Sequence, residues 1–182
     1  MGIRICSGTY RSRRIECPSS GVRPTTDRVK EAIFSSLGMD FAGLNCLDLF
    51  SGSGSLGIEA LSRGARHVVF VDSSKKSIRV IEKNLAMLKA RDHSRVIWSD
   101  AARFIKKCPD RFDCIFMDPP YNKGLASQTI HRVYQLLNTQ GILVIEHSRD
   151  EKIDIESFRD TGRSRVRTYG KTVITYLEKG IE

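Results

Sequence analysis

The sequence has no apolar run approaching the ~20 residues that cross a membrane as a helix, so no membrane-spanning segment is expected. Its first residues, Met1-Gly2-Ile3-Arg4-Ile5-Cys6, lack the apolar core of a signal peptide. The five cysteines (Cys6, Cys17, Cys46, Cys108 and Cys114) are scattered, odd in number and never spaced as CxxC. That pattern argues against a zinc site or a disulfide framework and for reduced thiols in a cytoplasmic protein. Repeats, low-complexity tracts and an evident interdomain linker are all missing. At 182 residues the expectation is one domain, 1–182, with residues 1–20 forming an N-terminal β-hairpin extension. A chain of this length buries about 70% of its unfolded surface.

Acidic residues are also scarce: 21 Asp and Glu face 30 Lys and Arg, a net charge of +9. Such a balance points to a polyanionic partner rather than to a fold. The excess is uneven. Residues 1–30 carry seven Lys or Arg against two acids, Glu16 and Asp27, for a net of +5. Arg163, Arg165, Arg167 and Lys171 form a second cluster without an acid among residues 162–171. Solubility alone would explain some of this charge, but two separated basic clusters favour nucleic acid. Arg11, Arg13, Arg14 and Arg23 are the expected RNA contacts.

What is present is a regular alternation. Ile3-Arg4-Ile5-Cys6 and Arg13-Arg14-Ile15-Glu16-Cys17 flank a Ser-Gly-Thr-Tyr turn and read as a hairpin. Thr26 or Asp27 is placed to cap a helix running to about Leu37, with Val29, Ile33 and Leu37 on one face. Apolar runs at 44–50, 67–71, 95–98, 112–117 and 141–146 then alternate with helical windows near 55–63, 74–90, 100–107 and 125–137. Such alternation implies an α/β fold, a mostly parallel sheet with helices on both faces. Arg163–Tyr169 and Thr172–Glu178, joined through Gly170-Lys171, read as a terminal antiparallel hairpin on that sheet.

The most informative segment is Asp118-Pro119-Pro120-Tyr121, which follows the apolar run Cys114-Ile115-Phe116-Met117. Two prolines forbid further ladder pairing and stiffen the turn. The turn then holds a carboxylate, carbonyls and an aromatic ring at a strand's carboxyl end, where open α/β sheets collect ligands. These groups suit a planar ring bearing an exocyclic amine. The plain alternative is an ordinary proline turn with Tyr121 covering the sheet edge.

The strand 44–50 runs into Ser51-Gly52-Ser53-Gly54-Ser55-Leu56-Gly57, a GxGxxG match, and Asp72 lies 20 residues after Gly52. That is the dinucleotide spacing. Asp48 argues against a dinucleotide, because an acid facing the loop repels a pyrophosphate and attracts an ammonium. S-adenosylmethionine (SAM) carries an ammonium and no phosphate. Asp72 is placed for the ribose hydroxyls and Asp100 for the adenine amine, with the next backbone N–H reaching a ring nitrogen. Phe50, Ser51, Gly52, Ser53, Gly54, Ser73 and Ala101 complete the expected cofactor site. Taken alone, each of Asp48, Asp72 and Asp100 reads more readily as structural, a helix cap or an ordinary strand-end acid, than as functional. Four acids ending four successive strands, Asp48, Asp72, Asp100 and Asp118, together point to a SAM-dependent methyltransferase.

The chain resembles bacterial 16S ribosomal RNA guanine-N2 methyltransferases of the D type, nearly end to end. Gly21-Val22-Arg23-Pro24-Thr25-Thr26-Asp27-Arg28-Val29-Lys30-Glu31 carries the family's Arg-Pro-Thr-Thr-Asp-Arg-Val signature. Residues 46–57, Leu61-Ser62-Arg63-Gly64-Ala65 and Asp118-Pro119-Pro120-Tyr121 also match. Ser51 stands where Ala is common, Asp72 where Glu is common and Tyr121 where Phe is common. The resemblance implies a Rossmann-like methyltransferase fold with a seven-stranded sheet. It further implies SAM as donor, guanine N2 of 16S rRNA as acceptor, and the assembling 30S subunit as partner. Asp118, Pro119, Pro120 and Tyr121 would be catalytic. A monomer without a metal is expected. The alternatives are an adenine-N6 nucleic-acid methyltransferase, which shares the four-residue motif, and a noncatalytic rRNA-binding assembly factor.

Overall fold

The alternation in the sequence resolves into one seven-stranded sheet between two helical layers. The computed structural model describes residues 2–18, 26–120, 124–159 and 162–181. Strands β1 (Ile3–Arg4) and β2 (Arg14–Ile15) pair as the N-terminal hairpin, with Ile3 opposite Ile15. Helix α1 (Asp27–Leu37) follows, capped by Thr26, whose hydroxyl accepts the Val29 N–H at 3.3 Å. Then come β3 (Asn45–Leu49), α2 (Ser55–Ser62), β4 (His67–Asp72), α3 (Lys75–Leu88), β5 (Ser94–Trp98), α4 (Ala101–Lys107) and β6 (Phe112–Met117). The chain ends through α5 (Leu125–Tyr134), β7 (Leu137–Ser148), β8 (Gly162–Tyr169) and β9 (Thr172–Lys179).

The strand order is β5-β4-β3-β6-β7-β9-β8. Strands β5, β4, β3, β6 and β7 are parallel, and β9 and β8 close the sheet antiparallel. The chain winds outward from β3 through β4 to β5, then returns to place β6 on the other side of β3. The switch point of the topology therefore lies between β3 and β6, where ligand crevices form in sheets of this kind.

One face of the sheet packs Phe70, Phe116, Val144 and Tyr176 against α1, α2, α3 and the hairpin. The other packs Leu47, Ile115, Leu143 and Leu177 against α4 and α5. The hairpin is more than a surface extension, since Ile3, Ile5 and Ile15 are buried in the first of these clusters. This explains α2, whose eight residues are all buried. The sheet covers one side of α2 and the hairpin the other, the circumstance under which a helix is apolar all round.

The segment after α5 differs from its expected form. The helical window 125–137 ends at Tyr134, and β7 begins at Leu137 instead of residue 141. Leu137 pairs with Phe112, the register shifts, and pairing resumes with Ile142 opposite Cys114. Gln140 at φ 64° takes up the irregularity. Polar Asn138-Thr139-Gln140 hides this first part of the strand from a hydrophobicity pattern.

Candidate active site

The loop between β3 and α2 is held by its own acids. Phe50 leaves the strand at φ 64°, a conformation costly for a bulky residue, and Gly52 and Gly54 follow at φ 54° and 76°. The Gly52 N–H donates to Asp72 Oδ2 at 2.8 Å, the Gly54 N–H to the Ser51 carbonyl at 2.6 Å, and the Gly57 N–H to Asp48 Oδ2 at 2.9 Å. Asp72 also accepts the Ser74 N–H through Oδ1 at 2.7 Å. Gly57 has to be glycine, because a Cβ there would lie 2.4 Å from the Phe70 ring. Ser51 is a latch between β3 and β4. Its Oγ accepts the Val71 N–H at 2.9 Å and lies 2.5 Å from the Asp48 carbonyl. Ser53 is buried, and its carbonyl accepts from Asn84 Nδ2 at 3.3 Å.

Asp48 is the electrostatic centre of this loop. It is only 3% exposed, and burial pushes its carboxyl up to about 7, an effect that the Gly57 N–H opposes and the nearby Asp72 reinforces. Buried acids without a compensating cation shift in this way.

The remaining acids lie at the same edge of the sheet. Asp100 caps α4, its Oδ1 accepting the Ala102 and Arg103 N–H groups at 2.9 and 3.2 Å. Ala101, the first residue of that helix, is buried. Asp118 follows β6, and its N–H donates to the Leu49 carbonyl at 3.5 Å, across the switch point. Pro119 is buried and Pro120 exposed. Registers show which acids share a face. Asp48 stands opposite Phe70 on β4 and Phe116 on β6. Two residues further on, Asp72 and Asp118 stand on that same face, joined by Glu146 on β7, one past the Met117–Ile145 pair.

The structure thus gathers Asp48, Phe50, Ser51, Gly52, Ser53, Gly54, Asp72, Ser73, Asp100, Ala101, Asp118, Pro119 and Pro120 at the carboxyl ends of β3–β6. Tyr121 and Arg23 lie outside the described residues. The hairpin that carries the other arginines packs in the helical layer, and Asn84 links its Glu16 to Ser53 of the loop. Arg13 Nη2 donates to the Met87 carbonyl and Arg14 Nη1 to the Gly2 carbonyl, both at 2.8 Å, while Arg11 is exposed at the turn.

Two neighbours escaped the sequence reading. Trp98, 58% exposed, donates its indole N–H to the Ser73 carbonyl at 2.9 Å and lies 4.2 Å beneath the Lys75 ammonium. The signal was available, since it is the single tryptophan and closes the third strand of the alternation. Glu146 is a buried acid ending an apolar run, the same signature that singled out Asp118. Among the described residues, no group of three or more His, Cys, Asp or Glu could hold a metal ion, and no helix is long and apolar enough to cross a membrane.

Comparison with known proteins gives a consistent result. Residues 3–178 match the family described as Conserved hypothetical protein 95. A Bacillus subtilis (strain 168) protein, YlbH, named as a candidate rRNA methyltransferase, is 40% identical over 97% of this chain and 99% of its own length. The Escherichia coli (strain K12) ribosomal RNA small subunit methyltransferase D is 41% identical over 79% of this chain and 71% of its own. Among solved structures, an Escherichia coli protein named as a candidate methyltransferase, yhhF, superposes with a TM-score of 0.83 at 30% identity, covering all of both chains.

Proposed function

The chain belongs to the Conserved hypothetical protein 95 family, and from that premise we propose that it is a SAM-dependent methyltransferase acting on small-subunit ribosomal RNA, with the exocyclic N2 of a guanine as acceptor. The observation that carries the cofactor assignment is the state of the Gly-rich loop. A pyrophosphate binds free backbone N–H groups at such a loop. Here the Gly52 and Gly57 N–H groups are already donated to Asp72 and Asp48. Two glycine amides of the loop are taken by the protein's own carboxylates, which suits a cation there and disfavours a phosphate. The donor set fits SAM: Asp48 for the ammonium, Asp72 for the ribose hydroxyls through its remaining lone pairs, and Asp100 for the adenine amine. Phe50, Ser51, Gly52, Ser53, Gly54, Ser73 and Ala101 would complete the pocket.

When bound, SAM supplies an electrophilic methyl group on a sulfonium. The chain's own task is to present the nucleophile. The guanine amine is weakly nucleophilic because its lone pair is delocalised into the ring. Asp118 Oδ and the Pro119 carbonyl would accept the amine hydrogens and turn the lone pair toward the methyl carbon. Positioning and electrostatics are then the main levers, and the proton leaves after transfer. A flipped base costs a few kcal/mol to unstack, which stacking on Tyr121 would offset by about 1–3 kcal/mol. Arg11, Arg13, Arg14 and Arg23 would help to dock the RNA. The protein would work in the cytoplasm on the assembling 30S subunit, as a one-domain monomer with its hairpin built in.

The test combines mass spectrometry of rRNA nucleosides with calorimetry. Incubating immature small-subunit particles with SAM and the protein should yield N2-methylguanosine. Asp118→Ala should abolish the product while SAM still binds. N6-methyladenosine as the product would replace the acceptor assignment, and near-normal turnover by Asp118→Ala would remove Asp118 from the mechanism.

A further inference from the structure

The row of residues that holds Asp118 does not end at β7. Glu146 on β7 stands opposite Ile174 on β9, and Ile174 stands opposite Arg167 on β8. Arg167 therefore shares the cross-strand row and the sheet face of Asp118, three strands away, roughly 14 Å at the usual strand spacing. Arg165 and Arg163 follow on the same face, opposite Tyr176 and Glu178. The three arginines form a ladder whose backbone positions are about 6.8 Å apart, running back along the edge of the sheet from the row of the site.

The surroundings of the ladder leave it open. Strand β8 is the sheet's edge, and the six residues Arg163–Thr168 are all exposed. Among the described residues, none of the three guanidinium groups lies within salt-bridge distance of a carboxylate. Glu178 is the one acid opposite them. Arg165 is held in place over the Tyr176 ring, 4.6 Å from its centroid, and Arg167 Nη1 donates to the neighbouring Val166 carbonyl at 3.3 Å. Edge strands often carry charge simply to block strand addition by another molecule. That role does not require arginine on one face only, with Ser164, Val166 and Thr168 on the other. Nor does it require arginine rather than lysine, whereas the guanidinium fork matches phosphate oxygens.

We propose that the β8 arginine ladder is a phosphate track, which holds the RNA backbone a few nucleotides from the base presented at Asp118. The inference rests on the rRNA reading above and adds a docking surface to it, distinct from the hairpin. A backbone leaving the site across β7 and β9 meets Arg167 first, then Arg165 and Arg163.

The experiment measures binding to immature small-subunit particles against salt concentration. Each neutralised phosphate contributes a log–log slope of roughly −0.7 to −0.9. Changing Arg163, Arg165 and Arg167 to Ala should flatten the slope by about two to three contacts' worth and leave SAM affinity unchanged. The double change Arg163→Ala with Arg167→Ala spares the residue over Tyr176 and should still flatten it by about one to two contacts. Lysine at all three positions should restore most of the slope, because the charge remains. A wild-type slope and affinity in the alanine variants, with or without self-association through the bared edge, overturns the track. Affinity of the lysine variant is expected below wild type, because the fork is lost; a lysine variant with the salt slope of the alanine variant overturns the track, since the neutralised phosphates then do not depend on these charges. In a parallel arm, Arg11, Arg13 and Arg14 are changed to Ala. A loss confined to that arm assigns docking to the hairpin and overturns the ladder. If the wild-type protein binds no rRNA particle at all, the proposed function fails first, which separates the two failures.

Discussion

At the scale of single residues, Asp48 carries the most specific expectation. Its acid titrates near 7 in the folded protein, above the ordinary 3.8, because it is buried. A raised value means that the folded state holds this proton more tightly than the unfolded state does. Asp48 thus costs no stability below pH 4, and its cost grows as the pH rises toward 7. Cofactor binding has the opposite sign, since an ammonium pairs with the ionised form. SAM affinity should increase as pH rises from 6 to 7.5, by up to roughly tenfold per unit, and calorimetry at pH 6 in two buffers should detect protons released on binding. Asp48→Asn keeps an oxygen for the Gly57 N–H, so the fold should survive and the free protein should be more stable than wild type at pH 8. The variant should bind SAM weakly and without the acid limb. An unchanged pH profile in Asp48→Asn would place the ammonium elsewhere.

At the scale of elements, the critical joint is α2 with its neighbours. Glu59 in α2 is fully buried and accepts the Cys6 and Ser7 N–H groups of the hairpin at 2.8 and 3.0 Å and Arg63 Nε at 3.0 Å. Lys30 of α1, also fully buried, stands 3.7 Å from the same carboxylate and donates to the Arg4 carbonyl at 2.5 Å. One charged pair therefore joins hairpin, α1 and the helix that begins with the Gly-rich loop. Leaving a buried charge without its partner typically costs about 3–5 kcal/mol, an upper bound here because Lys30 also stands 3.9 Å from Asp27 and Glu59 pairs with Arg63 at 3.0 Å. Glu59→Gln should destabilise the protein in urea unfolding, by less than that bound because Asp27 still faces Lys30, and adding Lys30→Met should recover part of the loss. If the double variant is as unstable as the sum of the single ones, the two charges are not coupled.

At the scale of the whole molecule, the hairpin belongs to the core. Ile5 and Ile15 are each 1% exposed. Ile5→Ala should cost about 2–5 kcal/mol and lower the unfolding midpoint by roughly ten degrees for a chain of this size. A change within a degree or two would make the hairpin a detachable extension. Much of this architecture was legible in the chain itself. Helix α1 runs from Asp27 to Leu37 as its cap and apolar spacing imply, and the parallel strands and terminal hairpin fall where the apolar runs placed them, apart from the polar first part of β7. These features depend on local periodicity, on prolines that stop a strand and on glycines that turn it, all of which are written in neighbouring residues. The order of the strands was not legible, nor was the hairpin's cover over α2 or the row that aligns Asp118, Glu146 and Arg167. Those depend on register between segments far apart in the chain, which hydrogen bonding and core packing settle only once the sheet has closed. The sequence by itself therefore determined the elements and the acids at the strand ends. Tertiary structure decided that the Gly52 and Gly57 amides are spent on Asp72 and Asp48, and that a basic edge strand shares a face with the site.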